Sequence, residues 1–203
     1  MNRSGLQRLV PVVLVLIVVG LIIAALVSVG RTFFSGGGSS SPSPTPQVNA
    51  GKQALVSTLA DRSVRMIVRG PLVADENFHS YTITVSPGER NLTTYQGYSG
   101  QAVDTSQLSN TNSAYEQFVY ALDRAKLMDG TPLSGDTNDT RGICATGMIY
   151  QFDVLQGTNV VQSLWTSTCA GSLGSLKANL AQVQRLFQSQ IPDVAKYTSK
   201  VNL

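Results

Sequence analysis

The chain has 203 residues, of which 42% are hydrophobic and only 13% charged, and its formal net charge is +3. Arg3, Arg8 and Arg31 carry all of that excess, so residues 48–203 hold as many basic as acidic side chains and nucleic acid is excluded as an expected partner. With two cysteines and a single histidine, a structural zinc site of ordinary ligand number is excluded too, and no motif implies a cofactor.

Arg3 and Arg8 precede Leu9 to Val29, an uncharged run rich in Val, Leu and Ile. At about 1.5 Å per residue the run spans the roughly 30 Å of a bilayer's hydrocarbon core, and we expect one transmembrane helix, with the lipid bilayer as its partner. Pro11 falls in the first turn, where a missing N–H costs least, and Gly20 and Ser28 are tolerated in such helices. The basic residues and free amine before the run outweigh Arg31 after it, which puts residues 1–8 in the cytoplasm and exports the remainder. A cleaved signal peptide is the rival reading, with Ser28-Val29-Gly30 as a small-x-small site. Residues 30–47 contain a Gly/Ser run that gives way to alternating Ser/Thr and Pro up to Pro46, the composition of a tether.

Residues 48–203 are expected to form one extracytoplasmic α+β domain, with a mostly antiparallel sheet and helices packed on one face. A short helical period runs over Asn49 to Ala60. Arg62 to Arg69 alternates Val64, Met66 and Val68 against Arg65, Ile67 and Arg69, the pattern of a half-buried strand. Phe78 to Val85 and Asn91 to Tyr98 follow as a hairpin around Pro87-Gly88. Ser113 with Glu116 has the form of a capping box, opening a helix to about Leu127 through Tyr115, Phe118, Val119 and Leu122. Thr131 to Gly142 reads as a polar loop.

Ile143 to Leu155 and Val160 to Thr168 are the longest strand candidates. A four-residue connection over Leu155 to Thr158 would set Cys144 opposite Cys169, and the even pair in an exported domain is expected to form a disulfide. The same register puts Trp165 and Val161 on one core face with Met148, Tyr150, Phe152 and Val154. Ser175 to Gln190 then carries Leu176, Leu180, Val183 and Phe187 on a helical stripe, and Asp193 to Val201 suits a last short helix.

Residues able to carry chemistry are scattered. His79 is the single base available to a Ser-His-Asp arrangement with Ser80 or Ser86 and Asp75, and no nucleophile elbow accompanies it. Asp129, Asp136, Asn138 and Asp139 crowd one loop without calcium-loop spacing, and Asp75, Glu76 and Glu89 do not pair as acid and base. Arg62, Arg65 and Arg69 form a local basic cluster, of which Arg65 and Arg69 share a strand face suited to an anionic polymer or headgroup. Tyr81, Tyr95 and Tyr98 suit stacking on sugar or peptide if they line one groove. Two acceptor patterns for N-glycosylation, at Asn91 and Asn138, carry meaning only in a eukaryotic secretory pathway. A type IV pilin is disfavoured because the apolar run lacks an acidic residue.

The anchor, the tether and the stretch Ser163-Leu164-Trp165-Thr166-Ser167-Thr168-Cys169 together resemble uncharacterised single-pass exported proteins of bacteria with reduced genomes. That resemblance implies no catalytic residue. The expectation is a non-enzymatic binding or envelope-assembly module facing a protein or surface polymer, with Tyr81, Tyr95, Tyr98, Arg65 and Arg69 as its surface. An envelope hydrolase built on dispersed carboxylates is the alternative.

Overall fold

The computed structural model describes residues 49–201, within the compact unit Val48–Leu203. The expected cytoplasmic tail, transmembrane helix and tether lie outside the described residues. Within those residues no helix is long and apolar enough to cross a membrane.

Helix α1 (Ala50–Leu55) is followed by four strands, β1 (Arg62–Arg69), β2 (His79–Val85), β3 (Glu89–Gln96) and β4 (Gln101–Ser109). Helix α2 (Asn112–Arg124) leads through a long loop to β5 (Ile149–Gln156) and β6 (Asn159–Ser167), and α3 (Leu180–Gln188) and α4 (Val194–Thr198) close the chain. The six strands form one sheet in the order β4-β3-β2-β1-β5-β6, antiparallel throughout. The expected α+β class and antiparallel sheet are therefore present.

Strand alternation decides the two faces. Val64, Met66 and Val68 of β1 join Tyr81, Ile83, Val85, Leu92, Tyr150, Phe152, Val154 and Leu164 in one buried cluster. Leu55 of α1, Phe118, Val119 and Leu122 of α2, and Val183 and Phe187 of α3 belong to the same cluster. Phe187 meets Phe118 edge-on, with centroids 5.2 Å apart, and lies 5.8 Å from Phe152. One aromatic thus ties two helices to the sheet, and its burial contributes about 1.5–3 kcal/mol.

Three sequence expectations need correction. The β5–β6 connection is the two-residue Gly157-Thr158, and Gly157 takes φ +57 while its N–H reaches the Asp61 carbonyl at 2.7 Å. Phe152 therefore pairs with Leu164, and Trp165 pairs with Gln151 on the opposite face from the one expected. The register differs by an odd number of residues, which turns a whole strand over. Helix α2 is capped by Thr111, whose hydroxyl accepts from the Ala114 N–H, so Ser113 lies inside the helix. Strand β4, a strand the sequence reading did not include, is an edge strand with Ser106 buried and most of its residues exposed.

The Cys144–Cys169 disulfide is present, with the two Cα atoms 5.6 Å apart. It lies beyond the last ladder pair, Ile149 with Ser167, and so clasps the base of the hairpin outside the strands.

Candidate binding pocket

The second face of the sheet carries polar residues, and its best-defined feature is built around Asp153. This side chain is 0% exposed. It accepts from Arg65 Nε at 3.0 Å and Nη2 at 2.6 Å on one oxygen, and from Gln151 at 3.0 Å and Ser163 at 2.7 Å on the other. Arg65 stands directly across from Asp153 in the β1–β5 pairing, so strand register alone brings the ions together. Four charge-assisted bonds satisfy the buried carboxylate.

The network continues along the face. Gln151, oriented through its amide N–H by Asp153, presents its carbonyl to Arg69 Nη2 at 3.4 Å, and Arg69 Nη2 also donates to the Thr140 hydroxyl. Burial lowers the pKa of Arg69, opposed by the charges of Asp139 and Asp153. Arg69 makes no salt bridge among the described residues.

Beside Arg69, at the end of β1, a pocket of about 240 Å³ opens between two loops. Leu72 and the ring pair Phe78–Tyr98 form one wall, Thr140, Arg141 and Gly142 the other, and Ile149 and Cys144 complete the lining. Each wall is fixed. The Leu72 N–H donates to the Ala145 carbonyl at 2.9 Å, joining the two loops directly. Tyr98 stacks on Phe78 with centroids 4.2 Å apart, donates its hydroxyl to the Val73 carbonyl at 2.7 Å and donates its backbone N–H to the Asp75 carboxylate at 2.6 Å. Gly97, at φ +74, lets that turn close against Asp75, because a Cβ there would stand 3.2 Å from the carboxylate.

The opposite wall is held by the disulfide at Cys144, by the bond from Trp165 Nε1 to Asn138 at 3.1 Å, and by Asp139. Asp139 accepts from the backbone N–H, Nε and Nη2 of Arg141, which lowers its carboxyl pKa to about 2 and raises that of Arg141. The two arginines of the pocket thus differ, since Arg141 already has its carboxylate.

The expected surface residues separate into different environments. Tyr81 is 1% exposed in the core, where burial raises its pKa against hydrogen bonds to Gln188 and Gln184, so it cannot stack on a ligand. Tyr95 is half-buried in β3, paired with Ser80 and Ala102, and is not part of the lining that holds Tyr98. Tyr98 and Arg69 both line the pocket. Arg65 is committed to Asp153.

Ser86, a nucleophile considered with His79, sits in the turn beyond the far end of β2, where its hydroxyl accepts from the Glu89 N–H. Among the described residues no group of three or more His, Cys, Asp or Glu is placed to hold a metal ion. The loop residues Asn138 and Asp139 are engaged with Trp165 and Arg141. Sequence reasoning missed Leu72, Phe78, Thr140, Arg141, Gly142 and Ile149, which come from segments far apart in the chain and show no local pattern.

No family model matches this sequence, and a search of curated proteins finds no match either.

Proposed function

We propose that the chain is a membrane-anchored protein, held in the bilayer by Leu9 to Val29, whose α+β domain faces outward and works as a non-enzymatic binding module. One observation carries this reading: a pocket of about 240 Å³ with apolar walls, a half-buried arginine without an ionic partner among the described residues, and both bounding loops pinned. Small concave sites with apolar linings and few polar groups are the usual form of ligand sites. Preorganised walls reduce the ordering cost of binding.

Four carboxylates are engaged in ion pairs. Asp153, Asp139, Asp104 and Asp123 each hold a cationic partner, Arg65, Arg141, Lys200 and Lys52 respectively. The disulfide agrees with export to an oxidising compartment.

Two measurements test the reading. Protease added outside intact bacterial spheroplasts that express the full chain should remove the domain, and full protection would refute the exported orientation. Screening small organic acids, amides and short peptides against the full chain in detergent, with ¹³C-methyl signals of Leu72 and Ile149 as reporters, should give saturable shifts at both methyls. Silence across that set would refute the pocket as a binding site.

A further inference from the structure

We infer that the pocket beside Arg69 selects a small apolar monoanion, a carboxylate on an aryl or short alkyl body, with Arg69 as its counterion; this rests on the pocket being the binding site proposed above. The lining divides cleanly by chemistry. Leu72, Phe78, Tyr98 and Ile149 offer apolar and aromatic contact, and the two cations of the lining are Arg69 and Arg141. Arg141 is bound to Asp139 through three of its N–H groups and points 87% of its side chain into solvent. Arg69 is different: its partners Thr140 and Gln151 are neutral acceptors, and both are reached from Nη2. Its Nε and Nη1 donors bond to no other described residue. A guanidinium offers five donors in a planar fork that matches the two oxygens of a carboxylate.

The count of cations sets the ligand's charge. With Arg65 paired to Asp153 and Arg141 to Asp139, the cluster keeps one cation in excess, Arg69, which balances one negative charge rather than two. The volume sets its size, for about 240 Å³ lies below the roughly 300–1,000 Å³ of sites that enclose drug-sized ligands. A ring or a short branched chain fits, and a long acyl chain does not. Asp153 completes the arrangement at one remove: by holding the Gln151 amide N–H it turns the Gln151 carbonyl toward Arg69 and fixes the fork's position. Two sources share this chemistry, a free organic acid and the C-terminal residue of a peptide with an apolar side chain.

The test titrates the full chain in detergent with 3-phenylpropionate, with its uncharged amide, and with a short peptide ending in phenylalanine as the free acid or the amide, read at the Leu72 and Ile149 methyls. Each acid should bind more than about tenfold tighter than its amide, the size of a lost charge-assisted pair. Arg69→Met should erase that preference, whereas Lys200→Gln, outside the pocket lining, should preserve it. Tighter binding of the peptide than of the free acid names a peptide terminus as the source, and the reverse order names a small metabolite; either supports the inference. Equal affinity for acid and amide in the native chain overturns the anion selectivity while leaving the pocket as a binding site. No shift from any of the four probes overturns both.

Discussion

Removing the Cys144–Cys169 bridge by Cys144→Ala with Cys169→Ala should destabilise the domain by an amount set by the loop it closes. The cysteines are 25 positions apart. For a loop of that length the chain-entropy relation gives about 3.5 kcal/mol at room temperature. The native fold supplies little compensation, because β5 and β6 already pair from Ile149 and Ser167 inward and the bridge lies outside that ladder. The loss therefore comes mainly from a freer unfolded chain, and the folded sheet should be unaltered. Urea unfolding of the full chain, followed by far-UV circular dichroism, should show a lower midpoint with the slope little changed, and a thermal midpoint lower by about 7–14 °C. Reducing agent should reproduce the effect in the native chain and do nothing further to the variant. A loss below about 1 kcal/mol would refute the reasoning, and would mean that the loop is restrained in the unfolded state by something other than sulfur.

Asp153→Ala leaves Arg65 facing an empty acceptor, and because the Arg65 side chain is 30% exposed water can reach it, so we expect a loss of about 2–4 kcal/mol in urea unfolding. Gly174→Ala should cost about 2 kcal/mol or more, since the residue has φ +67 and a Cβ would sit 2.2 Å from the Trp165 carbonyl oxygen that receives the Ser175 and Leu176 N–H groups; an unchanged midpoint would refute that. The Asp139 carboxyl should titrate at about 2 by carboxyl NMR, below its ordinary 3.8. Its folded value is depressed, so its contribution is complete above the ordinary value and disappears as the pH falls toward 2, and Arg141→Gln should move the titration upward.

Local alternation and turn chemistry were readable where one face of a strand is buried. Arg62 to Arg69 matches β1 at both ends, because Val64, Met66 and Val68 go into the core while Arg65, Ile67 and Arg69 do not. Strand β4 has no such contrast: Gln101 to Ser109 lies at the sheet edge, mostly exposed, so its sequence is that of a polar loop. The β5–β6 register was hidden by Gly157-Thr158, a dipeptide without the usual Asn-Gly signature, whose tight turn depends on the distant Asp61 carbonyl. The disulfide expected from the even cysteine count is present, but the strand pairing that was to set Cys144 opposite Cys169 is not, since the bridge lies outside the β5–β6 ladder. Arg69 and Tyr98 were singled out from the sequence, yet the pocket joining them depends on the crossing of the 70–78 and 140–144 segments, a tertiary event that no spacing along the chain encodes.

Trp165 is the chain's single tryptophan, 4% exposed, and its indole N–H is held by Asn138 in the loop that continues into the pocket's wall. Its fluorescence is therefore an intrinsic optical gauge of whether that loop is seated. Emission should be blue-shifted and resist quenching by iodide in the intact protein, and it should redden when the loop lifts, so the state of the wall can be followed in real time without attaching a dye.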